Sequence, residues 1–224
     1  MKVGIISAFE AEVKPFISSM YDITVEKHAM LSFHVGKYKD INVVALYSGV
    51  CKVNASIATQ VLINKFDVTH VIVMGVAGAI ANDLKIHDTV ISSEVAYHDV
   101  NEDILTKYHP WMDSIYFKAD HKMLSKMKEV NDNDKTIVIG RMVTGESFIE
   151  QEGREEIVEK YNPLCVDMET ASMAHVCYAN SVPFIAVRSI SDTPEESGDE
   201  AFSKYYELAA EKSVAVVQRY LSAI

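Results

Sequence analysis

The chain has 224 residues, 49% of them hydrophobic and 24% charged, which argues against disorder and supplies enough length for one sizeable core. A formal net charge of −11 argues against nucleic acid or an anionic membrane as a main partner, because phosphates would be repelled. Small molecules and other protein chains remain as partners.

The first residues enter an apolar, β-rich run at 3–7. The run is too short for a secretory leader, and no later stretch reaches the roughly 20 apolar residues of a bilayer span. Residues 9–20 carry helical spacing. The runs 31–35 and 41–47, separated by polar residues 36–40, read as a hairpin. Residues 52–64 place apolar side chains at i, i+3 and i+4 and read as a helix. A buried strand at 71–74 runs into Gly75-Val76-Ala77-Gly78-Ala79, whose small residues permit close backbone approach. Further strands are predicted at 89–96, 136–141, 164–168 and 184–190, and helices at 121–130, 151–161, 170–180 and 199–221. Residues 99–113 read as a surface loop, either a solvated connection or a lid or oligomer contact. Strands alternating with helices predict an α/β fold, three layers α/β/α around a central mixed, twisted sheet, in one domain over 1–224. Cys51, Cys165 and Cys177 show no CxxC spacing and read as reduced thiols of a cytoplasmic protein.

Three acids stand out by position: Glu12 just past the first strand, Glu169 at the end of 164–168, and Asp192 at the end of the most apolar run, which also carries Arg188. Ligands of open α/β sheets bind beyond the carboxyl ends of strands. A carboxylate beside a core strand is costly unless it is paired or functional. Each acid also has a plain reading: Glu12 and Glu169 as first-turn helix residues, Asp192 as a cap before Thr193-Pro194. Spacing alone gives a candidate multi-carboxylate site.

The motifs go further. Gly4-Ile5-Ile6-Ser7-Ala8-Phe9-Glu10-Ala11-Glu12, Ser48-Gly49-Val50-Cys51-Lys52-Val53-Asn54-Ala55, Gly75-Val76-Ala77-Gly78 and Tyr97-His98-Asp99-Val100 occur in that order. Thr144-Gly145-Glu146-Ser147-Phe148-Ile149, Val166-Asp167-Met168-Glu169 and Arg188-Ser189-Ile190-Ser191-Asp192, then Phe202, complete the series. From end to end the chain resembles the methylthioadenosine/S-adenosylhomocysteine nucleosidases of the purine nucleoside phosphorylase superfamily. The resemblance implies hydrolysis of a ribosyl–adenine bond through an oxocarbenium-like sugar. It implies that Asp192, held by Ser191, protonates adenine N7, which requires a raised pKa in a poorly solvated pocket. It further implies that Glu12, with Arg188 nearby, activates the attacking water. Glu169 would bind the ribose hydroxyls over Met168, Phe148 would stack on adenine, and the Ile149 backbone would read its edge. Val50 and Phe202 would line the 5′-alkylthio pocket, and Phe9, Val76 and Gly78 complete the substrate-binding set. A homodimer whose partner helps close that pocket is implied too, with no cofactor and no metal.

Water is favoured over phosphate as the nucleophile, because Glu10 and Glu12 oppose an anion and Val76 offers no polar side chain. A non-catalytic nucleoside-binding module on the same scaffold is the alternative outside enzymes, and it would not need three acids together. Asp167 stands where the family usually has Glu, and Thr144-Gly145-Glu146 replaces the usual Ser-Gly-Asp, so fine substrate preference is left open. His98 and His109 with Asp99 and Asp103 fit no closed metal site. His175 reads as a packed or capping histidine, and the 152–159 charge run as a solvated helix face.

Overall fold

A computed structural model describes residues 1–108, 112–149, 152–196 and 199–224, without the side chains of 102–103 and 199–201. Strand β1 (Lys2–Ser7) leads into helix α1 (Glu10–Ile17), followed by β2 (Tyr21–His28), β3 (Leu31–Tyr38) and β4 (Ile41–Tyr47). Helix α2 (Lys52–Phe66) precedes β5 (His70–Ala79) and β6 (Thr89–Tyr97). Then come α3 (Glu102–Lys107), β7 (Phe117–Lys118), α4 (His121–Asn131), β8 (Ile137–Thr144) and α5 (Arg154–Tyr161). The chain finishes with β9 (Cys165–Asp167), α6 (Thr170–Ala179), β10 (Phe184–Asp192) and α7 (Asp199–Leu221).

The central strands are buried on both faces, which is why their sequences run apolar without alternation. Ile6 of β1, Val71 and Val73 of β5, and Phe184 and Ala186 of β10 enter a core shared with α2 and α6. Their neighbours Ile5, Ile72, Met74, Ile185 and Val187 enter a second core shared with α1, α4 and α7. These two cores make the expected three layers.

The sheet is mixed, in the order β10-β6-β8-β9-β5-β1-β4-β3-β2, and β10 also pairs with β5. Five strands therefore close into a ring from which β1, β4, β3 and β2 extend as an open wing. Strands β4, β1, β5 and β10 are parallel neighbours, so their carboxyl ends gather on one edge.

The structure corrects three expectations. The hairpin of β3 and β4 has a third antiparallel partner, β2, exposed along nearly all its length. Segment 99–113 is not loop throughout: it holds α3, and Leu105 and Met112 reach the first core. The helix predicted from 151 starts at Arg154, and Gln151 lies outside the described residues. Among the described residues no helix is long and apolar enough to cross a membrane.

Candidate active site

The parallel edge opens into a cavity of about 230 Å³, and all thirteen residues singled out from the sequence line it. From the segment after β1 come Phe9 and Glu12, and from the turn after β4 comes Val50. Strand β5 gives Val76 and Gly78, β10 gives Arg188, Ser191 and Asp192, and α7 gives Phe202. Met168 and Glu169 follow β9, and Phe148 and Ile149 follow β8.

Glu12 sits in the first turn of α1, as its plain reading held, yet its side chain turns inward. Oε2 accepts the N–H groups of Ala8 (2.8 Å) and Phe9 (2.9 Å), and Oε1 accepts that of Val76 (2.8 Å). Burial raises its pKa, and Arg188 with the three backbone donors offsets only part of that. Gly75, at φ +151°, explains how β5 comes so close: a Cβ there would lie 2.4 Å from Glu12 Oε1 and 2.7 Å from Arg188 Nη1.

Arg188 is fully buried on β10 and faces three carboxylates. Its Nε lies 3.0 Å from Asp167 Oδ2, its Nη2 3.4 Å from Glu169 Oε2, and its Nη1 4.0 Å from Glu12 Oε1. Burial works against its charge, but Asp167, Glu169 and Glu12 outweigh that and raise its pKa. Glu169 occupies the N-cap position of α6 rather than the end of β9, and its Oε1 accepts the Cys51 N–H at 3.0 Å. Burial, only partly countered by Arg188, lifts its pKa to about 7.

Asp192 closes β10. Two residues, Ser191 and Asp192, oppose Gly78 alone across a β-bulge, which turns both side chains toward one cavity. Ser191 Oγ donates to Asp192 Oδ1 at 2.7 Å, and the carboxyl is 4% exposed. Burial raises its pKa, and the Ser191 hydrogen bond and the charge of Arg154 pull it down in part.

The mouth is aromatic. Phe9 lies 6.2 Å from the Phe202 ring, which stacks on Tyr206 at 5.3 Å, while Phe148 presents an exposed face. Acids at the base, one cation among them and apolar rings at the rim suit a ligand that is part sugar, part flat base and part apolar tail.

Sequence reasoning missed the work of Asp167, noticed only as a substitution. Its Oδ1 accepts from Thr144 Oγ1 (2.6 Å) and the N–H groups of Glu169 (3.1 Å) and Thr170 (3.0 Å). It thereby fixes both Arg188 and the start of α6. Its spacing of two from Glu169 was the available signal. Arg154 was also missed, absorbed into a charge run; it is buried and donates to the carbonyls of Ala79 (2.9 Å) and Ile80. His175 stacks on Phe117 at 4.9 Å, a packed histidine as expected. Among the described residues no three His, Cys, Asp or Glu side chains gather in a way that could hold a metal; His109 lies outside them.

Known proteins resemble this chain along its whole length. A family model of the phosphorylase superfamily matches residues 2–222. The 5′-methylthioadenosine/S-adenosylhomocysteine nucleosidase of Oceanobacillus iheyensis is 34% identical over 223 residues, 97% of each chain. The structure of the S-adenosylhomocysteine nucleosidase from Streptococcus pyogenes, in complex with 5-methylthiotubericidin, superposes with a TM-score of 0.92 at 26% identity. It covers 100% of this chain and 97% of its own. The futalosine hydrolase of Helicobacter pylori superposes with a TM-score of 0.89 at 28% identity, covering 100% of this chain and 98% of its own. With a match running from the second residue to the third from last, this chain belongs to the phosphorylase superfamily.

Proposed function

We propose that this protein hydrolyses the N-glycosidic bond of 5′-methylthioadenosine and S-adenosylhomocysteine, releasing adenine and the 5′-thio-substituted ribose. The observation that carries the reading is the convergence of Glu12, Glu169 and Asp192 on one cavity from three distant parts of the chain.

The chemistry follows from where each group sits. Adenine is a poor leaving group as an anion, so the C1′–N9 electron pair needs a proton delivered to the base. Asp192, its pKa raised by burial and its carboxyl oriented by Ser191, supplies it at N7. As the bond stretches, positive charge grows on the sugar and the surrounding carboxylates stabilise it. Glu169 holds the ribose hydroxyls, and Met168 packs beneath the ring. Water held by Glu12 attacks C1′ and passes a proton to that carboxylate. Phe148 stacks on the base and the Ile149 backbone reads its edge. Phe9, Val50 and Phe202 receive the apolar 5′ substituent.

Water is a better fit than phosphate. An entering dianion would meet Glu12 and Glu169, and the buried cation at hand, Arg188, is already engaged by carboxylates. A futalosine-type substrate is the second reading, carried by the structural match to the Helicobacter pylori hydrolase.

Incubation with 5′-methylthioadenosine, with and without phosphate, and with futalosine in parallel, separates these readings by the rate of base release. Release of adenine without phosphate supports the hydrolase; strict phosphate dependence, or preference for futalosine, sinks it. Asp192→Asn is expected to lose roughly 10²–10⁴-fold in turnover while still binding the nucleoside. Full activity in that variant would remove Asp192 from the mechanism.

The 5′ end of the cavity is completed, in this reading, by a second copy of the chain. Val53 (69% exposed) on α2 and Tyr108 (71%) beside α3 are large apolar groups left in water, the kind of surface a homodimer covers. Sedimentation at assay concentration should give twice the mass of one chain; a monomer there removes the dimer from the proposal.

A further inference from the structure

The first turn of α2 joins two halves of the cavity that are far apart in sequence. Cys51, its N-cap, has φ +77°, a conformation that costs a non-glycine residue energy. That conformation sends two successive N–H groups to different carboxylates: Cys51 N–H to Glu169 Oε1 (3.0 Å), and Lys52 N–H to Glu146 Oε1 (3.1 Å). Helix N-termini leave such donors unpaired and favour anions, so both bonds use groups the helix cannot satisfy itself. The Lys52 side chain then binds both oxygens of Asp99 at 2.9 Å and passes 3.9 Å from Glu146 Oε1. Asp99 Oδ2 accepts the Glu146 N–H at 2.9 Å, which closes a ring of contacts. Gly145, one residue earlier, donates to the Asp167 carbonyl at 3.1 Å and lies hard against the His98 ring, where a Cβ would come 2.1 Å from Nε2.

Resting on the nucleosidase reading, we propose that Lys52, Asp99 and Glu146 form a positioning latch that fixes the 145–149 segment, and so Phe148, relative to Glu169. The three are not catalytic residues: none lines the cavity. They act through Phe148, two residues beyond Glu146, and through the α2 turn that also holds Glu169. Asp192 and Glu12 hang from β10 and α1, outside this ring of contacts. Opening the latch therefore loosens the grip on the base without disturbing the acid or the water.

This separation predicts a split between kinetic constants. Asp99→Asn and Lys52→Met should each raise KM for 5′-methylthioadenosine roughly tenfold with kcat within about twofold, the signature of lost uniform binding. Adenine binding, followed by calorimetry, should weaken by a similar factor, and the double variant should be no worse than either single one. The pair is partly open to water, with Lys52 19% and Asp99 27% exposed. Salt near 1 M should accordingly raise the wild-type KM for this uncharged nucleoside and leave that of Asp99→Asn unchanged. The wild-type arm of the salt test needs no variant to fold. Unchanged KM and adenine binding in the variants, additive losses, a fall in kcat alone, or a salt-insensitive wild type each overturns the latch. A wild type that releases no adenine overturns the nucleosidase reading instead, and adenine calorimetry then still decides the latch.

Discussion

Asp192 must hold a proton to serve as an acid, and its neighbours divide on the matter. Burial raises its pKa; Ser191 and Arg154 lower it. Arg154 does this from behind the strand, with its guanidinium fixed on the Ala79 and Ile80 carbonyls just past the Gly78 that faces Asp192. On the proposed mechanism the rate should fall on the alkaline side, as Asp192 loses its proton. Removing the Arg154 charge removes a force that favours the carboxylate, so Arg154→Met should move that fall to higher pH. The pH profile of kcat for wild type and variant measures this, and a shift to lower pH would show that Arg154 acts on something else. The sequence could not reveal it. Within Glu152-Gly153-Arg154-Glu155-Glu156 a buried arginine and a solvated one are spelled alike, and only the folded chain, which sets Arg154 against the Ala79 and Ile80 carbonyls, tells them apart. Asp192 itself was legible, because a carboxylate ending an otherwise apolar run is an expensive choice.

At the scale of elements, the crossing of β5 over Glu12 leaves no room for a side chain at Gly75. Gly75→Ala would put a methyl group 2.4 Å from Glu12 Oε1 and ask alanine to hold φ +151°. Overpacking and backbone strain of this kind cost about 1–3 kcal/mol each. Glu12 would be displaced by the order of an ångström, for which a loss of roughly 10²-fold in turnover is expected. Thermal melts alongside kinetics check both halves; a variant as active as wild type would mean that β5 has room to spare. The same strand shows what a sequence conceals. Its apolar run at 71–74 was readable because both faces are buried, yet pairing with β10 as far as Gly78, and with β9 at Gly78 and Ala79, carries the strand on through Ala79. Strands β8 and β10 likewise outlast their apolar runs, to Thr144 and Asp192. Backbone ladders set strand ends; side-chain polarity does not. Strand β2 was passed over although Tyr21, Ile23 and Val25 alternate with Asp22, Thr24 and Glu26. Three apolar residues are a short signal, no face of the strand is buried, and pairing with β3 makes it a strand.

The whole molecule folds around a charge imbalance. Glu12, Asp167 and Glu169 surround Arg188 away from water, so full ionisation would leave one positive against three negative charges, a net −2. Buried charge of that kind opposes folding unless a proton stays behind. The raised pKa of Glu169, about 7, says where one stays. Against an unfolded value near 4.5, the native state binds more protons than the unfolded chain between those two limits. Stability is therefore greatest below pH 4.5 as far as this group is concerned, declines as pH rises to about 7, and is level above. Glu12, raised by burial as well, adds with the same sign. Glu169→Gln removes the titration. Arg188 keeps Asp167 at 3.0 Å, so no lone buried cation results. The variant should melt higher than wild type at pH 8, by roughly 2–4 °C for each kcal/mol relieved, and the advantage should vanish toward pH 4.5. On the proposed mechanism its activity should drop, because the ribose would lose its acceptor. Calorimetry at several pH values decides the matter: a variant that melts lower than wild type at pH 8 would mean that Glu169 is held by Arg188 as a stabilising partner, and that this site does not trade stability for function.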